Sequence, residues 1–114
     1  MKVGVIGTQK IEIDNLELYI PAETTSMISM EAEGVGMSAF KYAMENGMNF
    51  GRCMINPKRL RRRKDREMLC LKRDISIVDK SDFVLAFWNN KSEEAAFVRE
   101  YCRQTGIELK EIVL

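Results

Sequence analysis

The chain has 114 residues, of which 46% are hydrophobic and 31% charged, with 18 basic and 17 acidic side chains and no histidine. This length fits one domain that can bury a core without metal ions or disulfides. The lack of histidine excludes serine–histidine and cysteine–histidine nucleophile pairs and histidine-containing zinc sites. Any chemistry would have to depend on carboxylates, lysine, tyrosine, cysteine or backbone amides, and we predict no metal site.

The cysteines and the apolar segments indicate where the protein works. Cys53, Cys70 and Cys102 are odd in number and form no Cys-x-x-Cys pair, which is typical of buried thiols in a reducing compartment. The apolar start, Met1–Gly7, is too short for a signal peptide. No segment reaches the ~20 apolar residues of a membrane span. We expect a soluble, cytoplasmic protein with no membrane partner.

The first half of the chain alternates between strand and helix patterns. Lys2–Ile6 is apolar and β-branched and ends in a glycine, as in a buried parallel strand that enters a turn. Asp14–Ile20 is predicted as a short helix and Thr25–Met30 as a second strand. A longer helix is predicted from Gly36. Its core side is expected to consist of Phe40, Ala43, Met44 and Gly47, with this glycine also ending the helix.

The second half continues the alternation. We predict strands at Asn49–Ile55, Phe83–Trp88 and Ile107–Leu114, the second of them almost wholly apolar and therefore buried on both faces. Ser92 is placed to cap a helix that ends at Gly106. The core stripe of this last helix is predicted to be Ala95, Val98 and Cys102, and that of the helix before Phe83 to be Met68, Leu71, Ile75 and Val78.

These elements predict an α/β fold: a single three-layer Rossmann-like domain spanning residues 1–114, with about five mostly parallel strands in the order 3-2-1-4-5 and helices on both faces. Ligands of such sheets bind beyond the carboxyl ends of the strands, where the strand order reverses. The candidate positions are therefore the turns Gly7-Thr8-Gln9, Glu31–Gly36 and Asn89–Ser92. As a bare motif, the glycine pair before a helix is a weak signal: its amides could face an anion, but such a pair often forms only a tight turn, and Glu31 and Glu33 would repel an anion.

Several of these segments resemble a known family. Thr25–Ala39 is similar to the segment Ser-Gly-Gly-Ala-x-Gly-Val-Asp-x-x-Ala, which marks one branch of the SLOG superfamily. These are Rossmann-like nucleotide-binding domains related to DNA-processing protein A and to the lysine-decarboxylase-like LOG enzymes. The same branch has a strand ending Gly-Ser-Arg, an Arg-Asn pair and a strand ending Ala-Phe-Trp-Asp-Gly-x-Ser. The corresponding residues here are Gly7-Thr8-Gln9, Arg73-Asp74 and Ala86–Ser92.

The resemblance implies a nucleotide site that has been remodelled. The paired glycines of the family are Met30 and Glu31 in this chain, and its Gly-Thr is Glu94-Ala95. The implied function is a sensor or ligand-binding module for a nucleotide or an ADP-ribose-like ligand. The residues expected to line its site are Gly7, Thr8, Gln9, Gly34, Gly36, Arg73, Asn90, Lys91 and Ser92.

Arg73 allows two interpretations. A helix that begins near Asp74 would leave Arg73 at its mouth, where it could reach the pocket, as the resemblance implies. A helix that begins at Asp65 would turn the arginine toward solvent.

A basic run supports a different function. Between Arg52 and Arg66 there are eight basic residues and one acidic residue, a local charge of +7, whereas the other residues sum to −6. In the first alternative, the protein binds nucleic acid or assembles with a partner through this run, and its pocket is vestigial. The run could equally contact a small anion or another copy of the chain, or simply be solvated. Its side chains are Lys58, Arg59, Arg61, Arg62, Arg63 and Lys64.

A third alternative is an enzyme that cleaves N-glycosidic bonds of nucleotides, with Glu31 or Glu94 as the reacting carboxylate. No pair of carboxylates has a spacing that selects it, so no catalytic residue is assigned. Because relatives often pair through their helices, a homo-oligomer is also expected.

Overall fold

The computed structural model describes residues 1–7, 11–31, 33–55, 60–89 and 92–114. The five strands form one parallel sheet in the order β3-β2-β1-β4-β5, so the predicted fold class and strand order are confirmed. The elements are β1 Lys2–Gly7, β2 Ser26–Ser29, α1 Val35–Glu45, β3 Asn49–Arg52, α2 Arg63–Asp79, β4 Phe83–Trp88, α3 Glu93–Thr105 and β5 Glu108–Val113. The predicted helix at residues 14–20 is only a 3₁₀ turn, Leu16–Leu18.

The fully buried strand β4, which lies between β1 and β5, has side chains in both layers of the core. All six of its residues are buried, as predicted, and alternate residues face opposite sides because the side-chain period of a strand is two. Phe83, Leu85 and Phe87 pack with α1, on what we term the α1 face. Val84, Ala86 and Trp88 pack with the buried side chains of α2 and α3, on the α2/α3 face.

The core side of α1 differs from the predicted one. Phe40 and Met44 are 36% and 50% exposed, whereas Val35, Ala39 and Ala43 face the sheet. Small residues on this side bring the helix close to the strands, and the larger Phe40 instead packs edge-on against Phe50 of β3 at a centroid distance of 5.4 Å. Helix α1 ends before Gly47, at a positive φ of 64°, as expected.

The predicted core stripe of α2 is also wrong for most of its positions. Met68 is 53% exposed, and Ile77 and Val78 are the apolar residues that reach the core. The buried row continues toward the helix start through Asp74 and Arg73. A buried row at this spacing means that two charged residues occupy positions that sequence patterns assign to apolar ones.

Helix α3 agrees with its prediction. The Ser92 hydroxyl accepts a hydrogen bond from the backbone N–H of Ala95 at 3.1 Å, and the helix ends at Gly106 in the left-handed region. Its buried residues are Ala95, Val98 and Cys102. None of the three cysteines forms a disulfide, and Cys53 and Cys70 are half-buried rather than buried. In the described ranges, no helix is both long and apolar enough to cross a membrane.

Candidate functional site

A buried ionic cluster lies at the carboxyl edge of the sheet. The Arg73 side chain is only 2% exposed. Its Nη1 is 3.0 Å from Glu31 Oε2, its Nη2 is 3.3 Å from Glu94 Oε2, and its Nε is 3.2 Å from Asp74 Oδ1. All three guanidinium nitrogens thus bond to carboxyl groups of the protein, and we term these four residues the Arg73 cluster.

Arg73 has an environment that neither interpretation predicted: it is buried and bonded to three carboxyl groups. Helix α2 begins at Arg63, which places Arg73 in the third turn, yet the side chain is buried rather than solvated. The prediction that an early helix start turns Arg73 toward solvent is therefore wrong. It failed because the reference stripe through Ile75 does not form the core side of the helix.

Asp74 is the most perturbed carboxyl group of the cluster. Its burial, together with the neighbouring Glu94 carboxylate, raises its pKa to about 9 against the opposing effect of Arg73. Asp74 is therefore protonated at neutral pH. A hydrogen bond between the Asp74 and Glu94 side chains contributes to this shift, and the protonated Asp74 carboxyl group is its donor. With Asp74 neutral, one guanidinium faces two glutamates, so the cluster has an excess of negative charge.

Three segments meet at this cluster. Glu31 follows β2, Arg73 and Asp74 belong to α2, and Glu94 lies in the first turn of α3. Glu31 also accepts a hydrogen bond from the backbone N–H of Ile55, beyond β3, at 3.2 Å. The cluster therefore ties together the chain segments that follow β2, β3 and β4.

Next to the cluster, a cleft of about 620 Å³ opens between the first half of α2 and the start of α3. Its volume is in the range of small-molecule sites. Glu94 belongs to both the cluster and the cleft. The lining residues are Arg63, Lys64, Glu67, Cys70, Leu71, Ser92, Glu93 and Glu94.

The cleft offers binding groups rather than a reactive nucleophile. Burial raises the pKa of the Cys70 thiol above its ordinary value, and Arg73 only partly opposes this. The protonated thiol is a small apolar surface at neutral pH. What remains for recognition is the pair Arg63 and Lys64 on α2, the carboxylates opposite them, and the side chain of Leu71.

The glycines of the expected site have packing roles in this structure. A Cβ atom on Gly36 would lie 1.9 Å from the carbonyl oxygen of Glu31, so the turn after β2 occupies the space beside it. Gly34 has φ 54° and ψ −125°, a conformation available to glycine. A Cβ atom on Gly7 would lie 2.6 Å from the carbonyl oxygen of Phe87.

The other expected site residues divide into two groups. Ser92 caps α3 and lines the cleft, and Arg73 adjoins the cleft through Glu94. The remaining four, Thr8, Gln9, Asn90 and Lys91, lie outside the described residues. The structure thus brings Arg73 and Ser92 together beside the cleft, at the carboxyl edge of the sheet. Gly34 and Gly36 lie at the start of α1, after β2.

The described part of the basic run is fully accessible. Residues 61–68 are all exposed, so the first turns of α2 project beyond the packed layers. Arg63 pairs with Glu67 at 3.0 Å across one helical turn. Lys58 and Arg59 lie outside the described residues.

Sequence reasoning named Glu31 and Glu94 only as separate turn carboxylates, and it missed the burial of Asp74 and the part of α2 that lines the cleft. One signal was present. The row that starts at Cys70 and continues through Arg73 and Asp74 to Ile77 and Val78 has helical i, i+3, i+4, i+7, i+8 spacing. An arginine next to an aspartate in such a row indicates a buried ion pair.

Comparisons of the chain with models of known families, with curated proteins and with solved structures found no match. The resemblance to the SLOG superfamily therefore depends only on the motifs quoted above.

Proposed function

We propose that the protein is a nucleotide-binding sensor or ligand-binding module, a divergent relative of the SLOG superfamily, and that its ligand occupies the cleft between α2 and α3. The observation that carries this proposal is the position of the cleft. The strand order reverses between β1 and β4, and the cleft adjoins the helix start that follows β4. Ligands of parallel α/β sheets bind at such reversals.

The lining of the cleft supports a ligand with an anionic end. Arg63 and Lys64 are exposed at its α2 end and can meet a phosphate group. Arg73 is not part of this phosphate site, because its guanidinium already binds carboxyl groups on three residues. Leu71 and the Cys70 thiol provide an apolar surface one to two turns further along α2, where a base can pack.

The test is thermal unfolding of the full chain with AMP, ATP, NAD, ADP-ribose, cyclic AMP and a short DNA duplex, at about 50 and 200 mM salt. A nucleotide at ~100 times its Kd should add about 2.7 kcal/mol to the free energy of unfolding. We expect at least one nucleotide to stabilise the protein at both salt concentrations.

Two double variants sharpen this test. R63Q/K64Q removes the two cations that line the cleft, and R61Q/R62Q removes two neighbouring exposed cations that do not. The first should abolish the nucleotide shift and the second should preserve it. Equal losses in the two variants, or no shift with any nucleotide, would contradict the proposal.

A second function, nucleic-acid binding, is favoured by the exposure of Arg61 and Arg62 just before α2 and of Lys64 in its first turn. A phosphate-backbone contact depends steeply on salt. This function predicts stabilisation by DNA alone that disappears at the higher salt concentration and weakens equally in the two double variants.

The cellular setting and the assembly are part of the proposal. Three cysteines without a disulfide agree with a reducing, cytoplasmic compartment. We also propose a homo-oligomer, which sedimentation of the purified chain would test.

A further inference from the structure

The two walls of the cleft carry opposite charge. Arg63 and Lys64 stand on the α2 side, whereas Glu93 and Glu94 stand on the α3 side. Glu67 also lines the cleft, but it pairs with Arg63 at 3.0 Å. A ligand that lies between these walls must therefore present an anionic group to α2 and a different kind of group to α3.

Glu94 is the better fixed of the two carboxylates on the α3 wall. Its Oε2 is 3.3 Å from Arg73 Nη2, and its side chain retains 29% exposure. The guanidinium that holds it is itself held by Glu31 and Asp74. Glu94 therefore reaches the cleft in an orientation set in advance, which lowers the entropic cost of binding a ligand there.

The chemistry of a carboxylate limits what Glu94 can recognise. An ionised carboxyl group only accepts hydrogen bonds, and Arg73 leaves the cluster with an excess of negative charge. A phosphate at this wall would be repelled. The matching ligand group is uncharged and donates hydrogen bonds, as a hydroxyl or a vicinal diol does.

The geometry of α2 orders the parts of a nucleotide along the cleft. The pair Cys70 and Leu71 follows the pair Arg63 and Lys64 by seven residues, which is about 10 Å along the helix axis. A 5′-nucleotide with its phosphate at the first pair and its base at the second pair has its sugar between them. A sugar in this position can turn its hydroxyls toward the α3 wall.

We propose that Glu94 binds the ribose hydroxyls of the ligand, so that the cleft selects ribonucleotides over 2′-deoxyribonucleotides. This inference rests on the proposed function and names its substrate class. A hydrogen bond to a charged acceptor contributes enough to change an affinity roughly 10- to 100-fold. Loss of the 2′-hydroxyl should weaken binding by a factor of that order.

The experiment compares the Kd values of AMP with dAMP and of GMP with dGMP by calorimetric titration of the full chain. We expect the wild type to prefer at least one ribonucleotide by roughly 10- to 100-fold. E94Q, whose amide oxygen is a weaker and uncharged acceptor, should reduce the preference for that ribonucleotide and leave the deoxy affinity almost unchanged.

The control is E31Q, because Glu31 binds Arg73 as Glu94 does but does not line the cleft. E31Q should keep the ribose preference even where it lowers stability. Equal wild-type affinities for ribo and deoxy forms would overturn the ribose inference and leave nucleotide binding standing. A preference that is lost equally in E31Q and E94Q would overturn the direct role of Glu94. No binding of any of the four nucleotides would overturn the ribose inference, whereas the proposed function would fall only if every nucleotide of the thermal unfolding series also left the protein unchanged.

Discussion

The two faces of the sheet pack their helices with different kinds of side chain. On the α1 face the buried side chains of the helix are Val35, Ala39 and Ala43 and two small residues. On the α2/α3 face, α2 buries Ile77 and Val78 together with two ionisable residues, Arg73 and Asp74. Each face packs helices against the same parallel sheet. Among the described residues, only the α2/α3 face buries an arginine and an aspartate.

The difference lies along the strand direction. Ile77 and Val78 pack near the middle of the sheet, where α2 approaches Gly4 of β1 so closely that a Cβ atom there would lie 2.8 Å from Ile77 Cγ2. Arg73 and Asp74 lie one turn earlier, toward the carboxyl edge. A buried charge is tolerated only when it is paired and hydrogen-bonded, and at this edge the segments after β2 and β4 supply the partners. The Arg73 cluster thus lies at the edge where parallel α/β sheets in general bind their ligands.

The largest effect should come from removing the cation of the cluster. R73M leaves Glu31, Asp74 and Glu94 close together without their guanidinium, and breaking a buried pair in this way costs about 3–5 kcal/mol. We expect a loss of that size in the free energy of unfolding measured with urea. R66M, an exposed arginine on the same helix, should change stability by less than about 0.5 kcal/mol.

The triple variant R73M/E31Q/E94Q separates the pairing from the packing. Replacing a whole buried ionic group is often close to neutral, so the triple variant should regain most of the stability that R73M loses. If the triple variant were less stable than R73M, the carboxylates would be stabilising the fold independently of Arg73.

A smaller effect is expected at the start of α1, which contacts the turn that carries Glu31. In G36A the new Cβ atom would lie 1.9 Å from the Glu31 carbonyl oxygen, and overpacking of this kind costs about 1–3 kcal/mol. The matched variant is G51A in β3, where the nearest atom is the Ile28 Cγ1 at 3.7 Å. We expect only G36A to lower the urea midpoint. A fully stable G36A protein would show that the turn can move away from the helix and leave room for a ligand.

The sequence was sufficient to predict the strands, their order and the caps of α3. Those features depend on local patterns: the apolar run at Phe83–Trp88, the Ser92 cap and the stop at Gly106. The buried sides of α1 and α2 were predicted wrongly, because hydrophobic periodicity favours large apolar residues. Here the core side of α1 includes Ala39 and Ala43, and that of α2 includes Arg73 and Asp74.

The site was harder to predict for a related reason. The partners of Arg73 are 42 and 21 residues away in the chain, and only the tertiary fold brings them together. Its third partner, Asp74, is adjacent but gives no sign of burial by itself. Of the glycines that suggested a phosphate-binding turn, Gly36 is explained by a close backbone contact and Gly34 by its positive φ, and sequence spacing does not distinguish either from a ligand site.

The effect expected for D74N depends on pH, and it tests the contrast between the two faces most directly. Burial raises the folded-state pKa of Asp74 to about 9, whereas in the unfolded chain it should be near ~3.9. Between these values the folded protein holds a proton that the unfolded chain has lost. The contribution of Asp74 to stability is therefore fully present below about pH 4 and decreases as the pH rises toward 9.

Asparagine keeps the shape of the protonated carboxyl group but cannot ionise, so D74N should be nearly as stable as the wild type at about pH 5 and gain on it as the pH rises, by at most about 1.4 kcal/mol per pH unit. Urea unfolding of both proteins between about pH 5 and pH 8 measures this difference. D65N, on the exposed side of the same helix, should follow the wild type throughout. A D74N curve parallel to the wild type would mean that Asp74 is ionised in the folded protein. The α2/α3 face would then hold one more negative charge, and the cleft beside it would be a still poorer site for phosphate.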